Sequence, residues 1–407
     1  MSTLKRKPVL VVVSPFLDKS YGTERIAIEW LSRLTEEFEI HIYSQRVQGI
    51  DTTQIAWHRI PRLPGPHLLN YLWWLAANHV WRAWDRHFRE IRSDIVFSPG
   101  INCFDADVIS VHIVFAEFLR QASRALKFTN NRVTFWPRLL HRRLYYRLIV
   151  FLERRIYTSM NATLILIAKK TAADLQRFYD RAKQCFIFYM GLDHVAFNPR
   201  RRNELRLAAR NEIGIPDDVF SVLLVGNDFH KKGVRTLLEA VSQLKSLRIA
   251  VLIAGNDDRS PFESLARSKG IADQVHFLPP RPDVEFYYAA ADAYAGPSLE
   301  DTFALPPQEA MACGLPVIVS STNGTNEIIT HESDGLILDN PEDAQGLAGM
   351  IRRLYENESF RACLGENASR TAAQYTWDRN VSELRAIFES VLQKKSQPGL
   401  RSLARQS

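Results

Sequence analysis

Phe220-Ser221-Val222-Leu223-Leu224-Val225 runs directly into Gly226-Asn227-Asp228-Phe229-His230-Lys231-Lys232-Gly233, and Val234–Leu244 follows with helical spacing. An apolar run, a polar turn bounded by glycines and an amphipathic stretch read as strand, loop and helix. Ile249–Ala254 supplies another strand, closed by Gly255-Asn256-Asp257, and Val275–Leu278, Ala291–Ala295 and Val317–Ser320 supply shorter ones. The alternation also stands near the start of the chain. Val9–Val13 is a continuous β-branched run, the pattern of a strand buried on both faces. Ser14–Thr23 reads as a loop, Glu24–Phe38 as a helix through Ile28, Leu31 and Leu34, and Glu39–Tyr43 as a second strand. Strands alternating with helices predict a parallel sheet covered on both faces.

Two such blocks predict an α/β protein of two Rossmann-like, doubly wound domains facing each other across a cleft, with ligands beyond the carboxyl ends of the strands. The polar, basic, proline-marked stretch Asn198–Asn203 reads as the linker. The first domain is expected over residues 1–195 and the second over residues 196–376.

The 407 residues suit two to three domains, and 46% hydrophobic with 24% charged residues excludes wholesale disorder. No uncharged apolar run approaches the length of a membrane span. The apolar run after the basic Met1–Pro8 is too short for a signal-peptide core. Cys103, Cys185, Cys313 and Cys363 lie far apart, which suggests reduced thiols and a cytoplasmic protein. Charge is uneven: residues 1–200 hold 29 Lys and Arg against 17 Asp and Glu, whereas the remainder holds 23 against 28. A basic first half points to an anionic partner, against the alternative of a solvated surface with none. Trp73, Trp74, Trp81 and Trp84 within 68–88, and six arginines among aliphatic and aromatic residues within 138–155, fit an anionic membrane surface. They equally fit surface helices docked on their own domain.

Two stretches carry chemistry. Gly226–Gly233 is a polar turn ahead of a helix N-terminus, with Lys231 and Lys232 as mobile cations, and so suits a diphosphate. It lacks the Walker spacing, and a basic surface turn is the alternative. In Pro297–Pro316, Asp301 and Glu309 stand eight apart, one in the loop before a helix and one inside it, with Pro306-Pro307 suited to the first turn. Carboxylates so placed accept hydrogen bonds from vicinal hydroxyls, or act as an acid/base pair. Helix capping accounts for Glu300 or Asp301 but not for Glu309. No His/Cys/Asp cluster has metal-ligand spacing, and Asp105-Ala106-Asp107 reads as a chance D-x-D. Three N-x-S/T triplets, at Asn161, Asn323 and Asn367, read as accidental.

Pro297–Pro316 resembles the E-x7-E region of the retaining family-4 glycosyltransferases of GT-B architecture (glycosyl transferases group 1). Tyr21-Gly22-Thr23-Glu24-Arg25 resembles the family's G-G-x-E-R loop, and Met190-Gly191-Leu192-Asp193 with Phe197-Asn198-Pro199 its N-G-V-D…F-x-P. Gly226–Gly233 is similar to the corresponding loop of lipopolysaccharide-core enzymes. The resemblance implies a metal-independent retaining glycosyltransferase without a cofactor. It would move sugar from a nucleotide-diphosphate donor to a glycan or lipid-linked acceptor in surface-polysaccharide or lipopolysaccharide synthesis, with no nucleic-acid partner. The location would be cytoplasmic, or peripheral at the inner face of the membrane. A helix at about 377–395 would cross back to the first domain. Lys232 and Lys231 would hold the diphosphate, Glu309 the ribose, and Asp301 the transferred sugar. The amides of Thr302, Phe303, Ala304 and Leu305 would surround sugar and distal phosphate. Gly22 and Thr23 would close on the diphosphate, His112 would lie near the reacting sugar, and Arg281 near the base. On its residues alone, His112 reads as a hydrogen-bonded core histidine.

Asp301 for glutamate, Ala304 for glycine, Asn227 for arginine and Tyr21 for glycine depart from the family pattern. They motivate an alternative, a catalytically degenerate sugar-nucleotide-binding or membrane-associated scaffold. A nucleic-acid binder lacks any recognisable signature, and an epimerase or phosphorylase on the same architecture stays open.

Overall fold

The computed structural model describes residues 6–18, 22–122 and 136–396. They divide into two compact units. One comprises the described residues up to Tyr189 and those from Trp377 onward; the other is Met190–Thr376.

The first unit is built on a seven-stranded parallel sheet ordered β5-β3-β1-β6-β7-β8-β9. Its strands are β1 (Val9–Val13), β3 (Glu39–Ser44), β5 (Ile55–Arg59), β6 (Ile95–Pro99), β7 (Val108–Val111), β8 (Thr163–Leu166) and β9 (Cys185–Ile187). Two short strands, β2 (Phe16–Asp18) and β4 (Arg46–Gln48), pair beside it. Every residue of β1 is buried between β3 and β6, as its β-branched run requires. The Trp-rich stretch is the helix His67–Phe88 and the Arg-rich stretch lies in the helix Trp136–Tyr157. The Arg138 side chain and Tyr21 lie outside the described residues. The last helix, Trp377–Ser396, packs Phe388 on Phe38 and Phe97, and Arg385 grips Glu37 with two bonds of 2.5 Å.

The second unit is built on a six-stranded parallel sheet ordered β12-β11-β10-β13-β14-β15. Here β10 is Phe220–Val225, β11 Ile249–Ala254, β12 Val275–Leu278, β13 Ala293–Gly296, β14 Val317–Ser320 and β15 Leu336–Leu338. The chain winds outward from β10 to β12 and then returns to β13, so β10 and β13 flank the reversal. In the first unit β1 and β6 stand in the same relation. The reversal leaves a crevice at the strands' carboxyl ends, where loops diverge to opposite faces of the sheet.

One expectation is overturned. Asn198–Asn203 is not a linker but the start of the helix Pro199–Ile213. The Asn198 side chain caps it by accepting from the Arg201 amide, Pro199 occupies the first turn, and Gly214 at φ 83° ends it. Of its arginines, Arg200 and Arg201 are exposed, whereas Arg202 is turned into the protein. Arg202, Arg206 and Arg210 recur every four residues and so share one face. From it they reach the Ala291 carbonyl, Asp292 and the Ala290 carbonyl at 3.0, 2.6 and 2.9 Å. Asp292 also accepts from the Ser221 amide, which is why β13 begins at Ala293, two residues later than its apolar run suggests.

Candidate functional site

The loop after β10 is fixed by its own residues. Phe229 is buried against Phe262 and Phe277, and its amide donates to Asp257 at 2.7 Å. Gly233 sits at φ 77°, and a Cβ there would lie 2.0 Å from the Pro297 carbonyl oxygen. At Gly226 a Cβ would meet the flexible Lys232 stem at 2.8 Å. With the loop thus pressed against the segment after β13, the Leu299 amide donates to the Lys231 carbonyl at 2.8 Å.

That arrangement brings two expected site residues together. Lys232 Nζ donates to Asp301 Oδ2 at 2.5 Å, both side chains about one-fifth exposed, at the carboxyl ends of β10 and β13. Asp301 is held from behind, where its amide donates to the Thr322 carbonyl and its own carbonyl accepts from Gly324. A Cβ on Gly324 would overlap the Thr302 carbonyl at 1.7 Å, so the 323–325 turn and the 301–304 loop form one packed wall.

Helix Leu305–Ala312 starts on this wall, with its prolines in the first turn. Ala304 precedes it at φ −92°, a conformation open to any L-residue, so the backbone needs no glycine there. Its amide is already committed to Thr325 Oγ1 at 3.1 Å, which removes one of the four expected donors. The amides of Thr302 and Leu305 have no partner among the described residues, whereas Phe303 is buried and engaged. Glu309 lies one turn inside the helix, 4% exposed, and accepts from the Tyr288 hydroxyl at 2.8 Å. Burial pushes the Tyr288 phenol well above its ordinary range. Sequence reasoning missed Tyr288, whose only signal is a tyrosine in the helix before β13. Arg281 stacks on Phe286 at 3.7 Å and is oriented by Asp283 and Glu212.

In the first unit the crevice at the β1/β6 reversal is a cavity of about 320 Å³. Ser14 and Pro15 after β1, Gln45 after β3 and Gly100–Asn102 after β6 line it, with Glu24, Arg62, His67, Asn70 and Trp74. Trp74 is 1% exposed and its indole N–H has no hydrogen-bond partner. Burial raises the Glu24 carboxyl above its usual range, and nearby Asp18 adds to the rise. Of these, Glu24 stood out within the quoted loop and Trp74 within the Trp-rich stretch, though for a membrane surface; the rest carried no signal. Gly22 and Thr23 open the helix Gly22–Ser32. His112 follows β7, buried, with Nε2 3.2 Å from Ser110 Oγ, and burial lowers its imidazole to about 4. It does not line the cavity.

The Asp105-Ala106-Asp107 carboxylates serve packing: Asp105 takes two bonds from Arg82, and Asp107 binds the Val96 amide and Lys395. Among the described residues no His/Cys/Asp/Glu group has metal-holding geometry, and no helix is long and apolar enough to cross a membrane.

Residues 206–371 match the family model for glycosyl transferases group 1. The chain is 30% identical over 242 residues to a D-inositol 3-phosphate glycosyltransferase of Salinispora arenicola, a match covering 55% of this chain and 54% of that one. It thus spans about half the length of the curated relatives it matches. Among solved structures, WaaG, a glycosyltransferase involved in lipopolysaccharide biosynthesis, superposes with a TM-score of 0.74 at 22% identity, over 92% of this chain and 98% of that one. HepE of Anabaena in complex with UDP and glucose gives a TM-score of 0.69 at 19% identity, over 95% and 100%. The two Rossmann-like units have the fold of GT-B glycosyltransferases, and residues 206–371 carry the group 1 pattern.

Proposed function

We propose that the protein is a retaining, metal-independent glycosyltransferase that takes sugar from a nucleotide-diphosphate donor. The observation that carries this reading is the Lys232–Asp301 contact at the reversal of the second sheet, beside the Thr302 and Leu305 amides. A cation and amide donors fixed at that point suit a diphosphate, and a carboxylate beside them suits sugar hydroxyls. The relative's name agrees with glycosyl transfer, and HepE's complex with UDP and glucose agrees with a nucleotide sugar as donor.

Residues 196–376 bind the donor in this proposal. Lys232 and Lys231 take the diphosphate, Glu309 the ribose, Arg281 the base side, and Asp301 with the Thr302–Leu305 wall the sugar. As the glycosidic bond breaks, negative charge grows on the departing diphosphate, and Lys232 lowers the barrier because it already stands there. The leaving phosphate accepts the acceptor's proton on the same face, so no enzymatic nucleophile is needed. Gly22 and Thr23 contribute helix N-terminal amides to the diphosphate, and His112 is assigned to the reacting sugar. Residues 1–195 take the acceptor, in the cavity at the β1/β6 reversal, where the unpartnered Trp74 N–H, Asn70 and Gln45 suit the hydroxyls of a glycan or a lipid-linked sugar.

The acceptor reading extends to a peripheral site on an anionic membrane. Helix Trp136–Tyr157 exposes Leu140, Leu144 and Phe151 beside Arg147, Arg154 and Arg155. The lipopolysaccharide or surface-polysaccharide role and the cytoplasmic location belong to the same proposal.

The test is a panel of nucleotide sugars offered to the purified protein, with hydrolysis and transfer followed by chromatography. Turnover with one donor, lost in Lys232→Ala with the fold retained, is expected. Calorimetric nucleotide binding without turnover for any donor would instead mark the degenerate scaffold to which Asp301, Ala304 and Asn227 point.

A further inference from the structure

A second concavity, of about 500 Å³, lies at the outer edge of the first unit's sheet. Among the described residues strand β5 pairs only with β3, and the second half of the helix His67–Phe88 stands across from it. Trp57, Trp81 and Trp84 form the walls. None of these residues belongs to the loops after β10 and β13.

Its floor is polar and preorganised. Asp85 is 3% exposed and takes His58 Nδ1 at 2.8 Å and the Tyr43 hydroxyl at 2.8 Å. The His58 ring is stacked on Tyr43 at 4.4 Å and meets His41 at 2.9 Å. Burial lowers the His58 imidazole, with His41 and Arg89 adding to the fall and Asp85 opposing it. The rim is cationic. Arg89 stands 3.4 Å from Asp85 with its guanidinium well exposed. Arg59 has no carboxylate within ion-pairing distance among the described residues, and its guanidinium lies over the Trp57 ring at 5.9 Å. The concavity is thus lined by one carboxylate, Asp85, whose Oδ2 accepts from Tyr43 and His58, and by two guanidiniums, Arg59 and Arg89.

Flat indoles around a hydrogen-bonding floor match the chemistry of a sugar, whose ring has an apolar C–H face and a rim of hydroxyls. Guanidinium groups add a fork fitted to carboxylate. We propose that this cavity is a binding subsite for an acidic saccharide chain, with Trp84 and Trp57 stacking on sugar rings and Arg59 pairing with a uronate carboxylate. A concave site with a polar floor favours a saccharide over a bilayer, which meets convex apolar surface. The subsite is independent of donor chemistry, because binding to it requires neither nucleotide nor turnover.

The experiment is calorimetric titration of the full chain with a galacturonic acid tetramer and with a neutral hexose tetramer. The acidic tetramer is expected to bind more tightly. Trp84→Ala should weaken it about tenfold or more, as loss of a stacked aromatic anchor does, and Trp84→Phe should restore most of that loss. Arg59→Gln should abolish the preference for the acidic tetramer while leaving neutral binding unchanged. Both side chains are exposed, so the thermal transition should not move. The proposal is overturned if neither tetramer binds, or if Arg59→Gln leaves the acidic preference intact. It is also overturned if only phosphatidylglycerol vesicles bind, in a manner lost with Trp84→Ala, since the partner is then a lipid surface.

Discussion

Lys232 and Asp301 meet at 2.5 Å across the point where the second sheet reverses, although 69 residues separate them. A cation that would serve a diphosphate is thus already neutralised by the carboxylate that would serve the sugar. In the proposed function, a bound donor would take the place of Asp301 at Lys232, so the pair would hold back anion binding to the empty site. Asp301→Asn should therefore raise affinity for a bare nucleoside diphosphate several-fold, by about 1 kcal/mol, while lowering transfer. Calorimetry with a panel of nucleoside diphosphates reads the first effect and turnover the second. Unchanged diphosphate affinity would show that the carboxylate does not compete for Lys232.

At Gly233 the loop after β10 presses directly on Pro297 of the wall after β13. Adding a methyl group overlaps the Pro297 carbonyl at 2.0 Å on a backbone of φ 77°. Gly233→Ala should cost about 2 kcal/mol or more, seen as a lower thermal midpoint, and should impair diphosphate binding with Lys232 untouched. A variant as stable as the parent would contradict the packing described.

The acceptor assignment separates from the donor assignment by kinetics. Asn70→Ala removes a side chain from the cavity lined by Trp74 and Gln45, in the unit that lacks Lys232. It should raise KM for acceptor about tenfold while leaving donor KM and donor hydrolysis unchanged. A rise in donor KM instead would place the acceptor elsewhere.

Glu153 is fully buried, and its carboxylate accepts from the Phe115 and Ala116 amides at 2.8 and 3.1 Å and from the Tyr179 hydroxyl at 2.7 Å. Burial raises it to about 7 against these opposing bonds. The folded state therefore binds this proton more tightly than the unfolded chain does. The stabilisation is present in full below pH 4.5, the ordinary glutamate value, and is lost as pH rises through about 7. Glu153→Gln should flatten the unfolding free energy across that window, as measured by urea denaturation at a series of pH values. An unaltered slope would reassign the effect to another group.

The strands were legible because both-face burial leaves runs such as Val9–Val13 and Phe220–Val225 with few polar residues to confuse them. Lys232 and Asp301 were legible as chemistry because each follows a strand by a short loop. Asn198–Asn203 misled because a proline amid polar and basic residues was read as a linker, whereas that proline starts a helix capped by Asn198. The fourfold recurrence of Arg202, Arg206 and Arg210 places them against carbonyls at the end of another helix, a partner remote in sequence. Asn70 and Gln45 were equally hidden, and Trp74 stood out only as one of a tryptophan cluster: a cavity wall drawn from many separate segments has no local pattern. The commitment of the Ala304 amide to Thr325 likewise depends on a turn twenty-one residues on.

The helix Trp377–Ser396 makes the second unit an insert within the first. A nonsense codon at Trp377 would leave Met190–Thr376 uninterrupted, yet strip Phe388 from Phe38 and Phe97 and Arg385 from Glu37. Damage at the carboxyl end of this polypeptide thus wounds its amino-terminal half.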